Sequence, residues 1–286
     1  LFLQTVSMKQ VGDLTEFVRA GVNVVSSGPV LLQYPFGVVP AAVTDPIIAA
    51  AKEGGATLHV NGIDPGFAND VLPLAMTSLS RRIDEVRVAE IADYSTYYQP
   101  VVNSQIFGFG QPMDERPVLL NPGVLSMAWG SVVRQIAAGL DVVLDEPLIE
   151  RIEEVAADRD LETVSGMIPE GTRAALHFEV VGQVGGVDRI VLEHYTRNHP
   201  DQCPDWPKPT NGDGCYRIDI TGDPVLNVEF GHHGENGDHN ISGMVVTAMR
   251  LVNSVPAVVA AEPGLVTALD LPPITGRGLV AGTQPG

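Results

Sequence analysis

An apolar run, Thr57-Leu58-His59-Val60, is broken by Asn61-Gly62-Ile63-Asp64-Pro65-Gly66-Phe67, residue types that stop a strand and restart a helix. Asp64 is a good helix N-cap and Pro65 suits the first helical position. The spacing therefore predicts a helix beginning there, with its free N–H groups and positive dipole end turned toward the strand's carboxyl edge. That edge is where open α/β sheets bind ligands, although the same residues also make an ordinary βα loop. Three imidazoles gather in Gly231-His-His-Gly-Glu-Asn-Gly-Asp-His239, but the setting is loop-like and lacks helical His-Glu-x-x-His spacing, so no metal is assigned. His194, Arg197 and His199 read as a solvated strand end that would otherwise orient an anionic group. Asp93–Tyr98 reads as an aromatic cleft wall. Cys203 and Cys215 lack Cys-x-x-Cys spacing and read as unpaired thiols.

Elements must place these groups. Leu1–Val6 reads as a buried strand, and Val11, Leu14, Phe17 and Val18 lie at helical spacing before Gly21. Asn23–Gly28 and Thr57–Asn61 read as further short strands, with a helix at Ile47–Glu53 between them. Apolar strands alternating with amphipathic helices predict a doubly wound parallel sheet. The Asp64 helix continues to Leu79, and from Glu85 the period changes to strand alternation, which marks a domain boundary. Helices are expected at Val124–Ala138 and Pro147–Ala157. Ala175–Gly182 and Arg189–Tyr195 read as a hairpin across Gly185-Gly186, with Tyr216–Thr221 and Pro224–Phe230 as another pair. A last helix covers Ile241–Asn253, and the Pro- and Gly-rich stretch to Gly276 returns to the first domain. The expected fold class is α/β: a partial doubly wound sheet over 1–84, an α+β domain with a mostly antiparallel sheet over 85–240, and a return to the first domain over 241–286.

The formal charge of −18 argues against non-specific binding to nucleic acid or anionic membrane, which needs a basic surface. No apolar run approaches the ~20 residues of a membrane span. The expectation is a cytoplasmic protein with a small-molecule substrate, no nucleic-acid or membrane partner, and a homodimeric state, because a sheet-built second domain often pairs with its copy. The start at Leu1, inside what reads as a buried strand, suggests residues upstream of this sequence.

Asn61-Gly-Ile-Asp-Pro-Gly-Phe-Ala-Asn-Asp-Val-Leu-Pro73, and Arg250-Leu-Val-Asn-Ser-Val-Pro256 continuing to Pro263-Gly-Leu and Asp270-Leu-Pro-Pro-Ile-Thr275, resemble a known family. Together with Val24-Val-Ser-Ser27, they are similar to the dihydrodipicolinate reductase-like oxidoreductases, in the branch of 2,4-diaminopentanoate dehydrogenase and the native amine dehydrogenases. The resemblance implies an NAD(P)-dependent oxidoreductase that holds NAD or NADP in a Rossmann-like domain and moves a hydride to or from a small imine, amine or carbonyl compound. On that basis the cofactor contacts are Thr5 and Val6, then Ser26, Ser27 and Gly28, then Gly62, Asp64 and Pro65. Asn253 would contact the ring carboxamide or else cap a helix. Two departures stand out. The family's glycine-rich βα turn is not in this sequence, since Gly182–Gly186 lies between antiparallel strands. The loop Gly28–Pro35 also lacks the glutamate of amine-forming members, leaving Tyr34 as the nearest catalytic proton-transfer group. The alternative is a non-catalytic relative that keeps the fold for binding or assembly.

Overall fold

The computed structural model describes residues 2–234 and 237–282, with side chains from Lys9 onward. In chain order the elements are α1 (Phe2–Arg19), β1 (Val24–Ser26), α2 (Ala41–Gly54), β2 (Thr57–Val60), α3 (Val71–Thr77), β3 (Arg82–Asp93), α4 (Val124–Gly139), β4 (Ile149–Ala156), β5 (Leu161–Thr163), β6 (Gly166–Ile168), β7 (Arg173–Val184), β8 (Val187–Arg197), β9 (Gly214–Asp223), β10 (Leu226–Phe230), α5 (His239–Ala260) and β11 (Gly264–Val266). The chain divides into two units, Leu1–Val71 with Val245–Gly286, and Leu72–Met244. The change of period at Glu85 falls inside the second unit, on β3.

The first unit is built on a parallel sheet of order β1-β2-β11. Leu58 and Val60 of β2 pack with Val11, Leu14 and Val18 of α1 and with Ile47, Ala50 and Ala51 of α2. These apolar positions recur at helical spacing, so each helix buries one stripe. Gly54 allows the two helices to meet, because a Cβ there would lie 2.0 Å from the Val18 carbonyl oxygen.

Two expectations are corrected in this unit. Leu1–Val6 does not form a strand: Phe2 to Val6 open α1, so Thr5 and Val6 lie on a helix and not at a strand's carboxyl end. A short apolar run does not distinguish strand from helix, and with no Gly or Pro before Val11 the helix propagates upstream. The third strand comes instead from β11, in register Gly264↔Thr57, Leu265↔Leu58 and Val266↔His59.

The helix expected at Asp64 begins at Val71. Between them the chain coils tightly: Ile63 bridges Gly66, and the Phe67 and Ala68 N–H groups donate to the Gly62 and Ile63 carbonyls at 2.9 and 3.1 Å. Gly66 is required there, since a Cβ would sit 2.1 Å from the Gly62 oxygen. Asp70, not Asp64, accepts a bond from the Val71 N–H.

The second unit carries a six-stranded sheet of order β10-β9-β3-β8-β7-β4, in which only β3 and β8 run parallel. Val86, Val88, Leu176, Phe178, Val180, Ile190, Leu192, Ile218 and Ile220 alternate onto one face and pack with Leu125, Val132, Val133 and Ile136 of α4. Gly185 and Gly186, with φ of 60° and 76°, make the tight turn between β7 and β8. Pro147–Ala157 is corrected from helix to strand: β4 pairs antiparallel with β7 at the sheet edge, Ile149 opposite Val181, with Arg151 and Glu153 exposed and Glu154 accepting from the buried Arg173. Helix propensity yields here to an open strand partner.

α5 runs past Asn253 and through Pro256 to Ala260, so Asn253 is not a helix cap. By length and composition alone, α5 is apolar enough to cross a membrane. The sequence reading did not register such a run because Arg250, Asn253 and Pro256 interrupt it.

Candidate functional site

The carboxyl edge of the parallel sheet gathers Ser26, Ser27 and Gly28 after β1 with Asn61 and Gly62 after β2, joined by an Asn61 N–H to Ser26 carbonyl bond of 3.0 Å. The Ser26 hydroxyl donates to the Gly28 carbonyl at 2.6 Å and accepts from the Gly28 N–H at 3.2 Å, so it is used in closing its own turn. Ser27 is exposed, and a Cβ built on Gly28 meets nothing within 4 Å, which leaves open space above the edge.

Behind the edge lies a buried polar network. The Asp70 carboxylate accepts from Gln33 Nε2 at 2.8 Å and from Asn61 Nδ2 at 3.0 Å. Arg250 Nε donates to Asn61 Oδ1 at 3.2 Å, and its guanidinium stands 5.6 Å from the Phe67 ring centroid. Burial lowers the Arg250 pKa while the Asp70 charge opposes that shift. His59 is fully buried, with Nδ1 3.0 Å from the Val266 carbonyl oxygen and with its pKa lowered by burial.

Asp64 and Pro65 lie in the coil after Gly62, and the Tyr34 ring packs edge-on to Phe36 at 5.2 Å. Asn253 lines a shallow pocket with Pro256, Pro272, Pro273, Thr275 and Arg277. Of the expected cofactor residues, the structure thus brings together those after β1 and β2. It sets Thr5 and Val6 on α1 and puts Asn253 in mid-helix.

The second unit holds a cluster that the sequence reading missed. Strand register sets Tyr216, Glu90, His194 and Phe178 side by side on β9, β3, β8 and β7, all on the face that packs against α4. Glu90 accepts from Tyr94 Oη at 3.1 Å and Tyr216 Oη at 3.2 Å, and His194 Nδ1 stands 3.0 Å from Glu90 Oε2. Trp129 meets the His194 ring edge-on at 4.8 Å, and Phe178 stacks on it at 4.7 Å. Burial alone would raise the Glu90 pKa, but the His194 charge and hydrogen bond outweigh it and hold the carboxyl well below its usual range. Glu90 continues the alternation of Val86 and Val88, so a carboxylate at an inward strand position was the available signal.

Nearby, His232 and His239 stack with centroids 4.3 Å apart and planes 12° apart. Burial, with a smaller contribution from His239, lowers the His232 pKa to about 4. The expected solvated strand end is also corrected: Arg197 is buried and donates to the carbonyls of Gln202, Cys203 and Pro207, which makes it a structural brace. On the other face of the sheet, His177, Glu179 and Glu193 bring possible metal-ligand atoms within 4.8 Å of one another. Arg87 already reaches Glu179 at 2.9 Å and Glu193 at 3.2 Å, and Arg151 reaches Glu179 at 2.7 Å, so cationic charge is in place there.

Comparison with known proteins gives a consistent picture. The family model described as the 2,4-diaminopentanoate dehydrogenase C-terminal domain matches residues 67–281. The chain is 42% identical over 273 residues to an amine dehydrogenase of Streptomyces virginiae, covering 93% of this chain and 74% of that protein. It is 26% identical over 257 residues to a 2,4-diaminopentanoate dehydrogenase of Acetoanaerobium sticklandii, covering 89% and 68%. Among solved structures, the amine dehydrogenase from Mycobacterium smegmatis matches with a TM-score of 0.72 at 20% identity, over 93% of this chain and 73% of that one, a likeness of fold.

Proposed function

The chain belongs to the 2,4-diaminopentanoate dehydrogenase and amine dehydrogenase family, and from that premise we propose that it is an NAD(P)-dependent oxidoreductase interconverting a small amine with its imine or carbonyl counterpart. The observation that carries the proposal is the 42% identity to an amine dehydrogenase across 93% of the chain. A bound nicotinamide nucleotide would supply or accept the hydride.

The residues fit the nicotinamide end of such a group. Ser27 and Gly28 face open space at the carboxyl edge of a parallel sheet, and the Asp70–Asn61–Arg250 network fixes the edge beneath them. Ser26, Ser27, Gly28, Gly62, Asp64, Pro65 and Asn253 are the residues assigned to hold it. The sequence contains no Gly-x-Gly-x-x-Gly turn, so no pyrophosphate contact is assigned.

Proton handling falls to two candidates. Tyr34 lies in the loop that follows β1, whereas Glu90 is a buried carboxylate already linked to an imidazole and two phenols. The Glu90 cluster is favoured because it links a carboxylate, an imidazole and two phenols, a chain of groups along which a proton can pass.

The test is a fluorescence titration with NADH and NADPH, followed by the absorbance decay of the bound nucleotide with a panel of small aldehydes and ketones in ammonium buffer. Binding and turnover with either nucleotide are expected. Absence of binding at millimolar concentration rejects the oxidoreductase in favour of a non-catalytic relative.

A further inference from the structure

A cavity of about 320 Å³ opens at the start of β3 and β8, within the second unit, and takes no part in the reading above. Strand register makes it. β3 begins at Arg82 and β8 at Val187, yet the two strands pair only from Val86↔Ile190 onward. Before that point Ile83 and Glu85 pair with β9, while Val187 and Asp188 pair with β7, so the two strands part and leave a wedge. Glu90 lies eight residues beyond Arg82 on β3, roughly 25 Å away at the rise of an extended strand, so the cavity is separate from the Glu90 cluster.

Part of the wall is apolar, from Ile83, Leu140, Val142, Val184 and Ile190. Leu140 and Val142 are set by the end of α4. There Asp141 turns left-handed at φ 55°, and the Asp141 and Val142 N–H groups donate to the Ala138 and Ala137 carbonyls at 3.2 and 2.9 Å. This pair of bonds is a Schellman motif, which holds the backbone of both wall residues in place.

The rest of the lining is cationic. Arg81, Arg82 and Arg189 stand with a single carboxylate, Asp84, in a chain that has 35 acidic residues to 17 basic ones. Arg82 holds Asp84 through Nε at 3.0 Å and Nη2 at 2.9 Å, and Arg81 Nε reaches Asp223 at 2.9 Å. The Arg81 and Arg82 side chains are 85% and 64% exposed, so both remain reachable from solvent. Arg189 differs from them. Its Nη1 donates across the wedge to the Asp84 carbonyl at 2.7 Å, an acceptor without net charge, and it forms no ion pair among the described residues. The adjacent Asp188 is engaged elsewhere, by Arg151 at 2.8 Å and Gln183 at 2.7 Å.

Local positive charge beside an apolar wall selects an anion that carries an apolar body. A cation would meet three guanidinium groups, and a wholly polar anion would leave the apolar wall unused. The two oxygens of a carboxylate match the planar fork of a guanidinium.

We infer that this cavity binds a short-chain alkyl carboxylate, with the carboxylate on Arg189 and the chain against Leu140, Val142, Val184 and Ile190. The site is additional to the proposed reaction and independent of it.

The test is calorimetric titration of the full chain with sodium acetate, butyrate and hexanoate, with hexanamide and inorganic phosphate as controls at equal ionic strength. Saturable binding of hexanoate is expected, with affinity rising about fourfold per methylene along the series and with neither control saturating. Arg189→Met removes the charge and Val142→Phe fills the cavity, and each should weaken hexanoate binding by about tenfold or more. Arg159→Met removes an exposed arginine that pairs with Asp158 outside the cavity, and it should leave the affinity unchanged. Circular dichroism confirms that each variant is folded.

Absence of saturation, equal binding of hexanamide, phosphate bound as tightly as hexanoate, unchanged affinity in both cavity variants, or an equal loss in Arg159→Met would each overturn the inference. Displacement of hexanoate by NADH also overturns it, since the carboxylate would then occupy the nucleotide site, and leaves the proposed function standing. Hexanoate binding without nucleotide binding or turnover does the reverse.

Discussion

Substituting Glu90 by glutamine preserves the shape of the buried side chain and removes its charge. The carboxylate serves three neighbours, Tyr94 at 3.1 Å, Tyr216 at 3.2 Å and His194 at 3.0 Å. A glutamine offers one acceptor oxygen and an NH₂ that only donates, so it cannot accept from all three, and the pairing with His194 loses its charge. Removing one partner of a buried ion pair costs ~3–5 kcal/mol, and the hydrogen bonds glutamine retains favour the lower end. For a unit the size of Leu72–Met244, ~1 kcal/mol moves Tm by ~2–4 °C, so a loss of ~3 kcal/mol lowers Tm by ~6–12 °C. The effect also has a pH signature. The folded-state pKa of Glu90 lies below its unfolded value, so its contribution is complete above the unfolded carboxyl pKa of ~4.3 and disappears as pH falls through the folded value. Urea denaturation of both proteins, followed by near-ultraviolet circular dichroism at neutral pH and near pH 3, should show a wide gap that narrows in acid. A neutral-pH gap below about 1 kcal/mol, or an equal gap in acid, refutes the ion-pair account.

Other perturbations probe the rest of the structure. Asp70→Ala leaves the Gln33 and Asn61 amides without their acceptor and should cost ~2–4 kcal/mol in urea denaturation. Gly66→Ala forces a Cβ against the Gly62 oxygen, and measured nucleotide affinity should fall together with Tm because the coil after β2 cannot close. The folded His232, held near a pKa of about 4, binds its proton later than the unfolded chain. Its contribution is therefore whole above the unfolded value of ~6.5 and is lost as pH falls from there toward the folded value. In stability profiles over that window, His232→Phe should show a shallower decline than wild type.

Local signals carried much of the fold. Gly185-Gly186 between alternating runs announced the β7–β8 hairpin, and the helical stretch read at Val124–Ala138 is α4. Where a segment was ambiguous by itself, partners decided: Ile149–Ala156 became a strand because β7 offered it a ladder, and Phe2–Val6 a helix because nothing interrupts α1. Asp64-Pro65 had the residue types of a helix start, but the coil through Gly66 moves that start to Val71. Glu90 and His194 could not be paired from one sequence. They are distant in the chain, and only the parallel register of β3 with β8 sets them opposite each other.

β11 has a consequence for biosynthesis. Because β11 is made after β1 and β2, the flank of β2 that it covers is still unpaired when a ribosome has reached α5. The exposed flank of β2 must wait for Gly264–Val266. That pairing therefore forms out of the order of translation, and a stop codon just before residue 264 should yield a chain with an open β2 flank that chaperones retain, even with all of Leu72–Met244 intact.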